Sequence, residues 1–100
     1  MDNTHLISIT EDFDAMSVNK VRASFEKAAR DAPHEVTVDL GAVSFMDSSG
    51  IGAIVFLFKR LKERAIPMQI VGAKGQPLEI LQFLRIDKTI PVIQNKEAAQ

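Results

Sequence analysis

The feature that most restricts the fold of this 100-residue chain is the way two hydrophobic periods alternate along it. Leu6, Ile7 and Ile9 make a short apolar run ending at Thr10-Glu11-Asp12, and Val36, Val38 and Leu40 alternate with Thr37 and Asp39. Both are strand patterns. Met68-Gln69-Ile70-Val71, closed by Gly72, is a third strand, and Ile90-Pro91-Val92-Ile93 is a last short extended piece. Between these runs the apolar residues return at helical spacing. Val18, Val21, Phe25, Ala28 and Ala29 do so to about Ala32, where Pro33-His34 stops the helix, and Lys20, Arg22, Glu26, Lys27 and Arg30 point outward. Asp14-Ala15-Met16-Ser17 before them reads as a polar turn with an N-cap. Ile51, Ile54, Val55, Leu57, Phe58 and Leu61 form the broad core face of a second helix, ending near Arg64-Ala65 before Pro67. Leu78, Ile80, Leu81, Phe83 and Leu84 make a third, with Pro77 suited to its first position.

Strands alternating with helices imply β-α-β units, a mostly parallel sheet and right-handed crossovers, with the helices mainly on one face. Val43-Ser44-Phe45-Met46 reads as further extended chain after a break at Gly41, Asp87-Lys88 turns the chain, and Asn95 to Gln100 is a polar tail. The length suits one α/β domain spanning 1–100.

Composition removes several function classes. Twelve Lys and Arg stand against thirteen Asp and Glu, with no Tyr or Trp, so neither a basic surface nor the usual stacking residues favour nucleic-acid binding. Without cysteine there is no disulfide, thiolate metal site or thiol nucleophile. Met1-Asp2-Asn3-Thr4-His5 has no signal-peptide character, and the longest apolar run, Ile51 to Phe58, is too short to cross a bilayer. The expectation is a soluble cytoplasmic domain with no direct membrane insertion.

The chemistry concentrates in Phe45-Met46-Asp47-Ser48-Ser49-Gly50-Ile51-Gly52, where extended chain gives way to the second helix. Asp, Ser and Gly serve the orphan N–H groups of a helix start, whose partial positive charge also suits an anion such as a phosphate. At about 100° per residue, Ser49 shares a side of the helix with Gly52, Ala53 and Phe56, away from the core face, while Ser48 lies near the Val55 direction at the edge of that face. The wheel therefore predicts an exposed Ser49 at the end of a docking strip of small residues and one aromatic.

Catalytic readings fare worse. Asp-Ser-Ser-Gly is not the Gly-x-Ser-x-Gly of a nucleophile elbow, and the only histidines available as a base, His5 and His34, read as loop residues. Asp12, Asp14, Asp39 and Asp47 match no calcium loop; the first two read as turn acids and the last two as acceptors of backbone hydrogen bonds. Gly72-Ala73-Lys74-Gly75 lacks the Gly-Lys-Ser/Thr ending of a phosphate loop. No metal or cofactor is expected.

From Val36-Thr37-Val38-Asp39-Leu40 through the Asp47-Ser48-Ser49-Gly50-Ile51-Gly52 segment, the chain resembles the STAS-domain anti-sigma factor antagonists of bacterial partner switching. The likeness extends to Phe13-Asp14-Ala15, Met68 to Gly72 and Phe83 to Ile90, some ninety residues in all. It implies a binding module and not an enzyme. By the resemblance, a switch kinase of the anti-sigma type would use ATP to phosphorylate Ser49 (Ser48 being the alternative), and a PP2C-type phosphatase would remove the phosphate. Only the unphosphorylated form would bind the kinase-like partner, through Asp47, Ser48, Ser49, Gly50, Gly52, Ala53 and Phe56. The alternative it implies is a constitutive STAS subunit of a transporter. This chain departs from the pattern at its first strand, which is short or missing, around Glu11, and at Ile86 or Asp87, where the family commonly has glycine.

Overall fold

The computed structural model describes residues 4–32 and 34–93, and within them both hydrophobic periods become regular structure. The order is β1 (Thr4–Ser8), α1 (Ala15–Asp31), β2 (Glu35–Asp39), α2 (Ser48–Glu63), β3 (Met68–Val71), α3 (Gly75–Phe83), a 3₁₀ turn (Ile86–Lys88) and β4 (Val92–Ile93). All strand pairs are parallel, in the spatial order β1-β2-β3-β4.

Sequential order explains the layering. When each right-handed crossover steps to the next strand in the same direction, every helix lands on the same side of the sheet. The register aligns Ile7, Val38, Ile70 and Val92 across the sheet, and the first three join Val36 and Met68 in one cluster with Phe25 and Ala28 of α1, Ile54, Leu57 and Leu61 of α2, and Leu81 of α3. Each large aliphatic side chain fully buried there contributes about 1.5–3 kcal/mol. The intervening residues Leu6, Thr37 and Gln69 belong to the opposite face, where Gln69 Nε2 donates to Thr37 Oγ1 at 3.1 Å and Leu6 is 59% exposed.

Helix α1 is stopped at both ends by specific groups. Asp14 is its N-cap and Ser17 completes a capping box, each serving the other's backbone N–H. At its far end the Arg64 guanidinium donates to the carbonyls of Ala29 (3.1 Å) and Ala32 (2.8 Å), a cation at the negative end of the helix dipole. Phe13 and Phe25 meet edge to face beneath it, with ring centroids 5.9 Å apart.

Two sequence expectations about elements shift. Val43–Met46 is not a strand: Val43 and Met46 are buried while Ser44 and Phe45 are exposed, a spacing of three and not two, and only Met46 pairs, in one parallel bridge to Phe13. Helix α3 starts at Gly75, so Pro77 is its third residue and not its first. Arg85 takes the left-handed conformation (φ 62°) before the 3₁₀ turn Ile86–Lys88. The short or missing first strand and the Asn95–Gln100 tail involve chain outside the described residues.

Candidate functional site

Helices α1, α2 and α3 each begin beyond the C-terminal end of a strand, at one edge of the sheet, and the middle start carries Asp47-Ser48-Ser49-Gly50. Asp47 is the N-cap of α2. Its Oδ1 accepts from the backbone N–H of Ser49 (2.8 Å) and of Gly50 (3.2 Å), so two orphan donors are satisfied by an acid at the positive end of the helix dipole. The sequence expectation of a backbone-bonding Asp47 is met, and Asp39 does the same for the N–H of Gly41 at 2.8 Å.

The segment before the cap is gripped from two sides. The Phe13 N–H donates to the Phe45 carbonyl (2.9 Å), and the Asp47 N–H donates to the Phe13 carbonyl (3.2 Å). From the other side, Gln76 of α3 closes a reciprocal pair on Met46: its Oε1 accepts from the Met46 N–H (2.8 Å) and its Nε2 donates to the Met46 carbonyl (2.9 Å). The first turn of α2 then passes so close to Phe13 that a Cβ on Gly50 would stand 2.4 Å from the Phe13 carbonyl oxygen. Only glycine fits there.

Ser48 and Ser49 are the first two residues of α2. Ser48 is exposed and Ser49 half-buried, which reverses the exposures that the helical wheel assigned them. The wheel's core direction holds only where core exists, and the first turn has nothing packed over Ser48. Ser49 instead faces α1 across a groove of about 530 Å³. Ser49, Gly52, Ala53 and Phe56 form the α2 wall, as one strip, and Ala15, Asn19, Arg22 and Glu26 stand opposite with Phe25. Phe56 is 40% exposed, with the Arg60 guanidinium 5.3 Å from its ring centroid. Two further large apolar side chains, Met16 and Phe45, are 76% and 46% exposed on segments adjoining the loop.

The arrangement offers a hydroxyl in a groove, not a catalytic pair. His5 belongs to the beginning of β1 and His34 directly precedes β2, so both are at the sheet edge away from the serines. Among the described residues no group of three His, Cys, Asp or Glu is placed to hold a metal ion. Gly72 to Gly75 is a strand-to-helix turn with positive φ at both glycines, and Lys74 Nζ donates to the Gly41 carbonyl. No described helix is long and apolar enough to cross a membrane.

Sequence reasoning missed the Gln76 clamp and the α1 wall. Asn19, Arg22 and Glu26 recur every three or four residues, but so does any solvated helix face, and nothing local says that a second helix start stands across from them.

Comparison with known proteins identifies the family and the fold. A family model described as the STAS domain matches residues 1–99. An anti-sigma-B factor antagonist of Listeria monocytogenes is 26% identical over 92 residues, covering 91% of this chain and 81% of the relative. The Bacillus cell fate determinant SpoIIAA, solved in its phosphorylated form, superposes with a TM-score of 0.73 at 22% identity, covering 99% of this chain and 90% of that one. The STAS domain of a SulP transporter from Vibrio cholerae superposes at 0.81 with 19% identity, over 99% of this chain and 79% of that one.

Proposed function

The chain belongs to the STAS-domain family, and from that premise we propose that it is a phosphorylation-controlled binding module of a partner-switching pathway, with no catalysis of its own. The anti-sigma-B antagonist relative and the phosphorylated form of SpoIIAA support this reading. One observation carries it: a half-buried serine at a helix start opens into a groove whose own wall continues as Gly52, Ala53 and partly exposed Phe56.

In this reading the partner is a cytoplasmic serine kinase of the anti-sigma type, seated on Asp47, Ser48, Ser49, Gly50, Gly52, Ala53 and Phe56. Met16 and Phe45 extend the apolar rim it covers. The kinase's bound ATP phosphorylates Ser49: a bond forms from Oγ to the γ-phosphorus, the bond to ADP breaks, and the hydroxyl proton passes to a base of the kinase. A PP2C-type phosphatase hydrolyses the ester and resets the module. The phosphate adds about −1.5 to −2 charges and three acceptor oxygens. The helix start tolerates that charge, so the fold survives, while the partner loses its packing against the groove. A loss of about 2.7 kcal/mol is a hundredfold in affinity.

The test is a phosphopeptide map of the protein from its own cells, with and without the candidate kinase, followed by partner binding of Ser49→Ala and Ser49→Asp. One phosphate on Ser49, with Ser49→Ala binding as the parent does and Ser49→Asp about a hundredfold weaker, is the expected result. A phosphate on Ser48 would keep the switch and move its acceptor to the exposed hydroxyl.

The transporter STAS domain among the structural neighbours favours a second reading, a constitutive regulatory subunit. The same map discriminates: no phosphate under any growth condition, with equal binding by all three forms, selects it.

A further inference from the structure

Arg22 stands in the groove opposite the serine strip, and among the described residues it belongs to no ion pair. Its Nη2 donates to Asn19 Oδ1 at 3.0 Å, one turn earlier on α1. The guanidinium is thereby turned back along the helix toward the start of α1. The two helix starts are level, because the Phe13–Met46 bridge joins the segments leading into them. Asn19 lies four residues after Ala15, the first residue of α1, and Ser49 is the second residue of α2, so the guanidinium stands roughly 4.5 Å along the groove from the level of Ser49. Arg22 and Ser49 line the same groove, so a phosphate on Ser49 and an extended arginine approach one another across it.

We propose that Arg22 is the intramolecular receptor of the Ser49 phosphate, so that modification bridges α1 to α2 and closes the groove as well as charging it. The proposal rests on Ser49 as the acceptor. The charges around that site divide unevenly. Asp47 already spends one carboxylate oxygen on the α2 cap, and Glu26 lies one turn further from Ser49 than Arg22 does. Arg22 is the cation turned toward the phosphate, and its fork can bind two phosphate oxygens at once. In the unmodified protein the same arginine is held by the neutral Asn19 amide, which leaves the groove open to a partner. The phosphate then acts twice, excluding the partner by its own charge and occupying the space where the partner would pack.

The experiment uses the full chain with phosphoserine installed at position 49 during translation, so that it needs no kinase. The second ionisation of the phosphate is followed by ³¹P NMR in the parent, in Arg22→Gln and in Arg22→Lys. A phosphate paired with Arg22 titrates about half a unit or more lower in the parent than in Arg22→Gln, with Arg22→Lys between them. In parallel, the phosphate raises the urea midpoint more in the parent than in Arg22→Gln. Superimposable titrations and equal midpoint changes in all three proteins overturn the role of Arg22 and leave the switch standing. Absence of phosphate from Ser49 in cells overturns the switch instead, whatever the titrations read.

Discussion

Helices α2 and α3 begin alike, each after a strand at the same edge of the sheet, but they are held by different means. The α2 start has an acid cap, a backbone partner in Phe13 and a side-chain clamp from Gln76. The α3 start has no side-chain cap at Lys74, and its first residue, Gly75, relies on a left-handed backbone (φ 59°). The Gln76 side chain, in the first turn of α3, makes both its hydrogen bonds to Met46 in the loop of α2. Support has been concentrated on the start that carries the serines. Under the proposed switch, a hydroxyl presented to a kinase gains from a frame that does not move with its own occupancy.

The contrast can be broken most strongly at Gly50. Gly50→Ala drives a methyl into the Phe13 carbonyl, a contact backbone cannot relieve by rotating a side chain, and the expected loss is about 3 kcal/mol in urea unfolding. Gln76→Ala comes next. It strips both backbone groups of Met46, with an expected loss of about 2 kcal/mol and faster hydrogen exchange at the Met46 amide, while the α3 amides exchange as before. Accelerated exchange confined to α3 would contradict the view that Gln76 serves its neighbour. The smallest effect is at Gly75, around which a Cβ meets nothing within 4 Å. Gly75→Ala meets only the left-handed backbone penalty, about 1 kcal/mol by thermal melt, and leaves the Met46 amide unchanged.

Local patterns carried most of the fold and half of the groove. Alternation in Val36–Leu40 and Met68–Val71 and the apolar stripe of α2 are properties of neighbouring residues, and the strands and helices followed them. The strip Ser49, Gly52, Ala53 and Phe56 was readable for the same reason, being one side of one helix. Arg22 and Gln76 were not, since their importance comes from residues about thirty positions away that only the folded chain brings near. Val43–Met46 misled because four residues are too few to separate a strand from a turn whose buried positions happen to be apolar. The exposure of Ser48 and Ser49 failed at the one place a wheel is weakest, the end of a helix, where direction no longer predicts cover.

The strict spatial order β1-β2-β3-β4 also governs how such a chain can assemble. Each strand pairs with the one made just before it, so none has to be threaded between two already joined. As the chain leaves the ribosome, the sheet can extend one strand at a time, each arrival bringing the helix that covers it. The Gln76 clamp, supplied by α3, follows β3 in the chain, so it reaches the serine loop only once three of the four strands have been made.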